Sequence, residues 1–129
     1  MTNDRKPAAV PIEAVQSSQP YVNGAKLAVV VERFDFDEPT CDALPVREIG
    51  GEKTLIDGHT RAVCAVLAGV RELRVYEDMD DLPMDLYVEC VRWCHEAGVT
   101  RVEDLVGRVV SDDTFERRWI ERCQQQRGG

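Results

Sequence analysis

The pentapeptide Asp57-Gly58-His59-Thr60-Arg61 concentrates more usable chemistry than any other stretch of the chain. A carboxylate and an imidazole can exchange or hold a proton, a hydroxyl can donate to an oxyanion, and a guanidinium can grip one through its fork. Thr54 to Ile56 just before it read as the end of a buried strand. Just after it, Val63, Val66, Leu67 and Val70 recur at helical spacing, with Gly69 as a C-terminal cap. The pentapeptide therefore straddles a helix N-terminus, where unpaired backbone N–H groups and the positive end of the helix dipole favour an anion. Gly58 permits close approach of a ligand, and Arg61, leaning back along the first turn, can reach the same spot. A plainer reading is equally open: Asp57 caps the helix, Gly58 makes the turn and Arg61 pairs with a surface carboxylate.

The elements that must position these groups can be read outward from them. A strand is expected around Ala9 to Val15, then the Ser17-Ser-Gln-Pro20 turn, then a helix over Lys26 to Phe34 despite the triple valine Val29 to Val31. Phe34-Asp-Phe-Asp-Glu-Pro39 is acidic, turn-rich and placed to overhang the site. Val46 to Ile49 and Lys53 to Ile56 flank Gly50-Gly51, the signature of a tight hairpin. Leu73 to Tyr76 closes a small sheet. Asp80-Asp81 with Pro83 opens a helix running to Gly98, Thr100 and Glu103 make a capping box for a short helix through Val109, and Ser111 starts a last helix with Asp112 and Asp113 in its first turn. Phe115, Trp119, Ile120 and Cys123 form the buried face of that helix, and residues 124–129 a fraying tail. Trp93 and Trp119 either anchor the packing of these helices or mark a homodimer surface.

Asp57 to Arg61, followed by an Ala-rich helix, a glycine and the strand Glu72-Leu-Arg-Val-Tyr76, resembles the phosphate-binding box of the ParB/sulfiredoxin superfamily. In ParB proteins that box reads Gly-Glu-Arg-Arg; here Gly58, His59, Thr60 and Arg61 stand in its place, keeping the glycine and the last arginine. Upstream, Val10 to Pro20 resembles the first ParB box, with Tyr21 where that box carries an arginine. The resemblance spans roughly residues 8 to 78. It implies an α+β fold, a small mixed sheet with packed helices (8–78) preceded by a disordered tail (1–7) and followed by a C-terminal group of three helices (79–126). It further implies that Gly58, Thr60 and Arg61 bind phosphate, that Ser18 and Gln19 add secondary contacts, and that Asp57 and His59 handle a proton or a metal ion. The ligand implied is a nucleotide (ATP, ADP or CTP), with Mg within reach of Thr60, or another phosphorylated small molecule. A branch of the superfamily phosphorylates free serine, so an ATP- or ADP-dependent kinase of a small hydroxyl metabolite is one expectation; Gln19 stands near the place of that branch's catalytic glutamate. The other is a non-catalytic nucleotide-sensing or adaptor module acting through the C-terminal helices. Sulfiredoxins carry a cysteine where Gly58 stands, which sets their chemistry aside.

Composition narrows the partners. The 129 residues are 43% hydrophobic, enough for one modest core, and carry a formal net charge of −8. Residues 77 to 89 hold Glu77, Asp78, Asp80, Asp81, Asp85 and Glu89 without a lysine or arginine, and in 101 to 127 arginines alternate with carboxylates. Arg117, Arg118 and Arg122 read as a solvated face with intrahelical pairs. Long-range repulsion then opposes a polyphosphate backbone, so DNA binding is not expected. The cysteines lack CxxC spacing and read as reduced thiols; Cys90 and Cys94 share an apolar stripe with Leu86, Trp93 and Ala97, so neither they nor Cys123 and His95 are assigned a metal. No run suits a membrane span or a signal peptide, and a cytoplasmic location is the expectation.

Overall fold

A computed structural model describes residues 6–39 and 42–128, and its architecture is α+β. Residues 1–5 of the expected 1–7 tail, and Thr40, Cys41 and Gly129, lie outside the described residues. Four strands form the main sheet in the order β1-β5-β3-β4: β1 (Ala8–Pro11), β3 (Leu44–Ile49), β4 (Glu52–Leu55) and β5 (Glu72–Glu77). Only the central β5·β3 pair is parallel, with Leu44 opposite Val75. β1 runs antiparallel to β5, and β4 antiparallel to β3. Gly50 and Gly51 both adopt positive φ, 62° and 80°, the two-residue turn whose twist suits a hairpin.

The first strand is shorter than its sequence suggests. It stops at Pro11, which has no N–H to extend a ladder, and Ile12–Ala14 fold into a 3-10 turn that buries Ile12. β2 (Val22–Asn23) then pairs in parallel with β6 (Val109–Val110), so the end of the chain returns to its beginning. Gln16 reinforces that closure with bridges to Thr54 and to Arg101.

Helix α1 (Gly24–Arg33) is capped by Asn23, whose Oδ1 accepts from the Ala25 and Lys26 N–H groups. Helix α2 (His59–Leu67) ends in a left-handed Gly69, with the Val70 N–H reaching back to the Ala65 carbonyl. Its buried face is Ala62, Val63, Cys64 and Ala65; Leu67, expected inside, is 53% exposed. Helix α3 (Met84–Glu96) starts at Met84, not at Asp80-Asp81, because Pro83 occupies the N-cap position. Gly98 closes it as Gly69 closes α2, leaving Ala97 on the surface.

The next turn is a 3-10 helix, Val102–Gly107. Asp104, not the expected Glu103, closes its capping arrangement by accepting from the Thr100 and Arg101 N–H groups. Ser111 caps α4 (Asp112–Phe115) as expected, with its hydroxyl accepting from Thr114 N–H. The helix then widens into a π turn over Glu116–Ile120 and continues as α5 (Glu121–Gly128), so residues 124–128 are helical and not a frayed tail.

Apolar clusters hold these layers together, one of them Ile49, Ile56 and Val91 joining the sheet to α3. Ile12, Val15, Leu44, Leu55, Ala62 and Leu73 pack α2 against the sheet. Val22, Val63, Cys94, Val99 and Leu105 join α2 and α3, with Leu27 of α1 against them. Trp93 and Trp119 meet edge to face at 5.9 Å with Cys90 between α3 and the last helix, so within the chain they anchor packing. Arg117, Arg118 and Arg122 are exposed as expected, Arg117 in an intrahelical pair with Asp113, while Arg122 lies 4.0 Å over the Trp93 ring. Among the described residues no helix is long and apolar enough to cross a membrane.

Candidate functional site

The pentapeptide lands where its pattern places it, at the turn from β4 into α2. Gly58 is the N-cap residue, with φ +80°, and no side chain caps the helix. Asp57 therefore does not act as the cap; its Oδ1 accepts from the Gly58 N–H at 2.8 Å, and the carboxylate stays exposed. A Cβ on Gly58 would stand 2.8 Å from Leu44 Cδ2 and 3.1 Å from Arg61 Nη2. The guanidinium of Arg61 is thus folded back over the helix start, as its place in the first turn requires. Among the described residues Arg61 makes no ion pair, contrary to the plainer reading in which it meets a surface carboxylate.

A cleft of about 490 Å³ opens on this helix end. Gln19, Asp57, Gly58, His59, Thr60 and Arg61 line it, and so do residues that sequence reasoning assigned no part in the site: Asn23, Lys26 and Val30 from α1 and its cap, and Asp112, Phe115, Glu116, Trp119 and Ile120 from the last helix. Asn23 ties the two sources together, since its Nδ2 donates to Asp112 Oδ1 at 2.7 Å. The C-terminal segment thus walls the site as well as packing on the core. The Phe34-to-Pro39 loop does not overhang it. Phe34 and Asp35 line a neighbouring cleft that shares Val30 and Arg61 with the first.

Thr60 is 8% exposed, and among the described residues its hydroxyl has no hydrogen-bond partner. Every sealed side-chain polar atom among those residues does have one, so the Thr60 hydroxyl opens on the cleft it lines. His59 behaves differently. It is buried, its Nε2 accepts from the Ser18 N–H at 3.3 Å and lies 3.5 Å from the Ser18 hydroxyl, and that hydroxyl donates to the Leu55 carbonyl at 2.6 Å. Burial pushes its pKa down to about 4, with Asp57 opposing the shift and Lys26 adding to it. With its pKa so lowered it is an uncharged acceptor at neutral pH and fixes Ser18 against α2. Ser18 is sealed behind His59 and lies outside the cleft lining. Gln19 reaches the cleft, with its Nε2 held by the Tyr21 carbonyl at 2.8 Å.

A polar chain on the other side of the core carried no clear sequence signal. Gln16 donates to Thr54 Oγ1 at 2.8 Å and to the Ile49 carbonyl, and its Oε1 lies 2.9 Å from His95 Nε2. His95 is thereby given a structural task. Burial raises the Cys94 thiol to about 12, and contact with Cys123 together with burial raises that of Cys90. Among the described residues no group of three or more His, Cys, Asp or Glu side chains is arranged to hold a metal ion.

The uncapped start of α2, Thr60 and Arg61 line one cleft, and a helix N-terminus with a guanidinium beside it is favourable ground for an anion. Asp57, Asp112 and Glu116 line the same cleft. No protein-family model matches the sequence, and no curated protein matches it. Among solved structures the chain is similar to the crystal structure of protein Atu1540 from Agrobacterium tumefaciens, with a TM-score of 0.51 and 14% sequence identity over 95% of this chain and 70% of that one. A likeness at that identity is a likeness of fold.

Proposed function

We propose that the cleft at the start of α2 binds a nucleotide or other phosphorylated small molecule, in the manner of a ParB-like phosphate box. The observation that carries the reading is the convergence of the Thr60 hydroxyl and the Arg61 guanidinium, both without protein partners among the described residues, on an uncapped helix N-terminus. Gly58 supplies the close approach and Lys26 a second positive charge on the rim. Because α4 and the π turn form the opposite wall, an occupied cleft would bias the docking of the C-terminal helices, which favours a sensing module over a catalyst. A phosphotransferase remains the second reading, favoured by the exposed Asp57 carboxylate, which can accept the proton of an attacking hydroxyl beside the phosphate site. His59 is too weak a base for that duty.

Calorimetric titration of the full chain with ATP, ADP, CTP and inorganic phosphate, each with and without Mg, tests the reading. Arg61→Ala should weaken binding of whichever phosphate ligand is taken up by about 1.5–3 kcal/mol, the scale of a charged hydrogen bond. Equal affinity of the two proteins would remove Arg61 from the site. Turnover of a bound nucleotide in the presence of a hydroxyl compound would favour the enzyme; stabilisation without consumption would favour the sensor.

A further inference from the structure

We infer that Cys123 and Cys90 form a peroxide-reactive thiol pair, whose oxidation ties the last helix to α3 through a disulfide that a dithiol reverses. The two cysteines come from different helices, α5 and α3, and meet in the cluster built on Trp93 and Trp119. Both are free thiols, and they are in hydrogen-bond contact. A disulfide needs its sulfurs about 2.05 Å apart, so thiols already in contact require only a short approach.

The pair is asymmetric in the way a two-step oxidation needs. Cys90 is 3% exposed, whereas Cys123 is only partly buried and reaches solvent. The Cys90 S–H donates to the Cys123 sulfur, and Arg122, held 4.0 Å over the Trp93 ring, adds a positive charge beside it. Together they lower the Cys123 thiol below its ordinary value against the effect of burial, while the same contact and burial raise Cys90. The thiolate is the nucleophile toward a peroxide, so the chemistry starts at Cys123. Cys94, the other cysteine of α3, is sealed from solvent and its thiol is held at about 12, which sets it apart from the pair.

The Cys123 thiolate attacks one oxygen of hydrogen peroxide; an S–O bond forms as the O–O bond breaks, and the departing hydroxide takes up a proton and leaves as water. The Cys90 thiol then attacks the sulfenic sulfur, the S–O bond breaks, and the displaced hydroxide carries off the Cys90 proton as a second water. Two thiols lose two electrons and two protons, and one peroxide is reduced to two waters. The tie lands on the helix that walls the cleft at the α2 start, since Trp119 belongs both to the thiol cluster and to the cleft lining.

The test treats the reduced full chain with equimolar hydrogen peroxide, blocks the remaining thiols with iodoacetamide and maps tryptic peptides without reduction. Trypsin places Cys90 in residues 75–92, Cys94 in 93–101 and Cys123 in 123–127, so mass identifies each partner. The expected product is a cross-link of the first and last of these peptides, lighter than their sum by two hydrogens and released by dithiothreitol. In Cys90→Ser, dimedone should trap a sulfenic acid on Cys123; in Cys123→Ser, Cys90 should stay a free thiol at the same dose. A wild-type map in which both residues remain alkylated, in which either is bridged to a different cysteine, or in which Cys123 is carried to sulfinic acid without a cross-link would overturn the inference. So would oxidation of Cys90 in the protein that lacks Cys123.

Discussion

Replacing Gly58 by alanine perturbs the backbone and the packing of the site at once, and Gly69→Ala serves as its internal control. Both glycines have φ +80°, a conformation that costs an alanine about 1–2 kcal/mol. A Cβ at Gly69 meets nothing within 4 Å, so Gly69→Ala should show that backbone cost alone. At Gly58 the new methyl would lie 2.8 Å from Cδ2 of Leu44, a fully buried side chain with core neighbours on every side, and 3.1 Å from Arg61 Nη2. Forcing a methyl into such a place adds about 1–3 kcal/mol. Gly58→Ala should therefore cost about 2–5 kcal/mol in total, within the stability of a domain this size, so the variant stays measurable. Urea denaturation at matched slopes reads the difference. Arg61 must also move to make room, so phosphate affinity should fall in Gly58→Ala and stay unchanged in Gly69→Ala. Equal destabilisation by the two substitutions would refute the contact argument, because the backbone terms are the same.

The neutral, buried His59 makes stability depend on pH. Its folded pKa of about 4 lies below the unfolded value of 6.5, so the unfolded chain takes up the proton first; the contribution is complete above pH 6.5 and is lost as pH falls toward 4, about 3 kcal/mol in all. His59→Gln should flatten that part of the stability profile, and an unchanged slope in the variant would show that another group titrates. Because Cys90 and Cys94 are buried among apolar neighbours, purified protein should contain no stoichiometric zinc and keep its melting temperature in chelator; one equivalent by elemental analysis would overturn the assignment. With a net charge of −8 and its C-terminal arginines engaged by Asp113 and Trp93, the protein should show no sequence-selective affinity for duplex DNA at physiological salt, and submicromolar selective binding by anisotropy would defeat that expectation.

What the sequence discloses and what it hides divide along physical lines. The Gly50-Gly51 hairpin, the start and glycine stop of α2, and the Ser111 cap are local: each depends on the conformational preferences of a few adjacent residues, and each was legible. The place of Thr60 and Arg61 in the first turn of α2 was legible for the same reason. The wall opposite them was not, since Asp112 and Glu116 look like ordinary dipole-compensating residues until the last helix is placed against α1. Lys26 likewise reads as one solvated charge on a valine-rich helix. The environment of His59 was not legible, because burial against Ser18, a contact across 41 residues of chain, is what lowers its pKa. Gln16 shows the same limit from the other side, as its partners lie on β4 and α3 and no spacing announces them.

The π turn at Glu116–Ile120 has the effect of a phase shift in the last helix. Each residue of a regular helix advances the side-chain direction by about 100°; a turn closed one residue later delays everything beyond it by about that angle. Asp112 and Glu116 can then face the cleft from the first half, while Arg122 and Cys123 in the second half lie against Trp93 and Cys90 of α3. One continuous helix thus presents two faces that a uniform helix of the same length would point in different directions. Deleting a single residue inside the turn would restore the regular pitch and set wall and anchor at odds, with the charge and hydrophobic content of the helix hardly changed. Its geometry, as much as its composition, is what lets one helix be both a side of the cleft and a rib of the core.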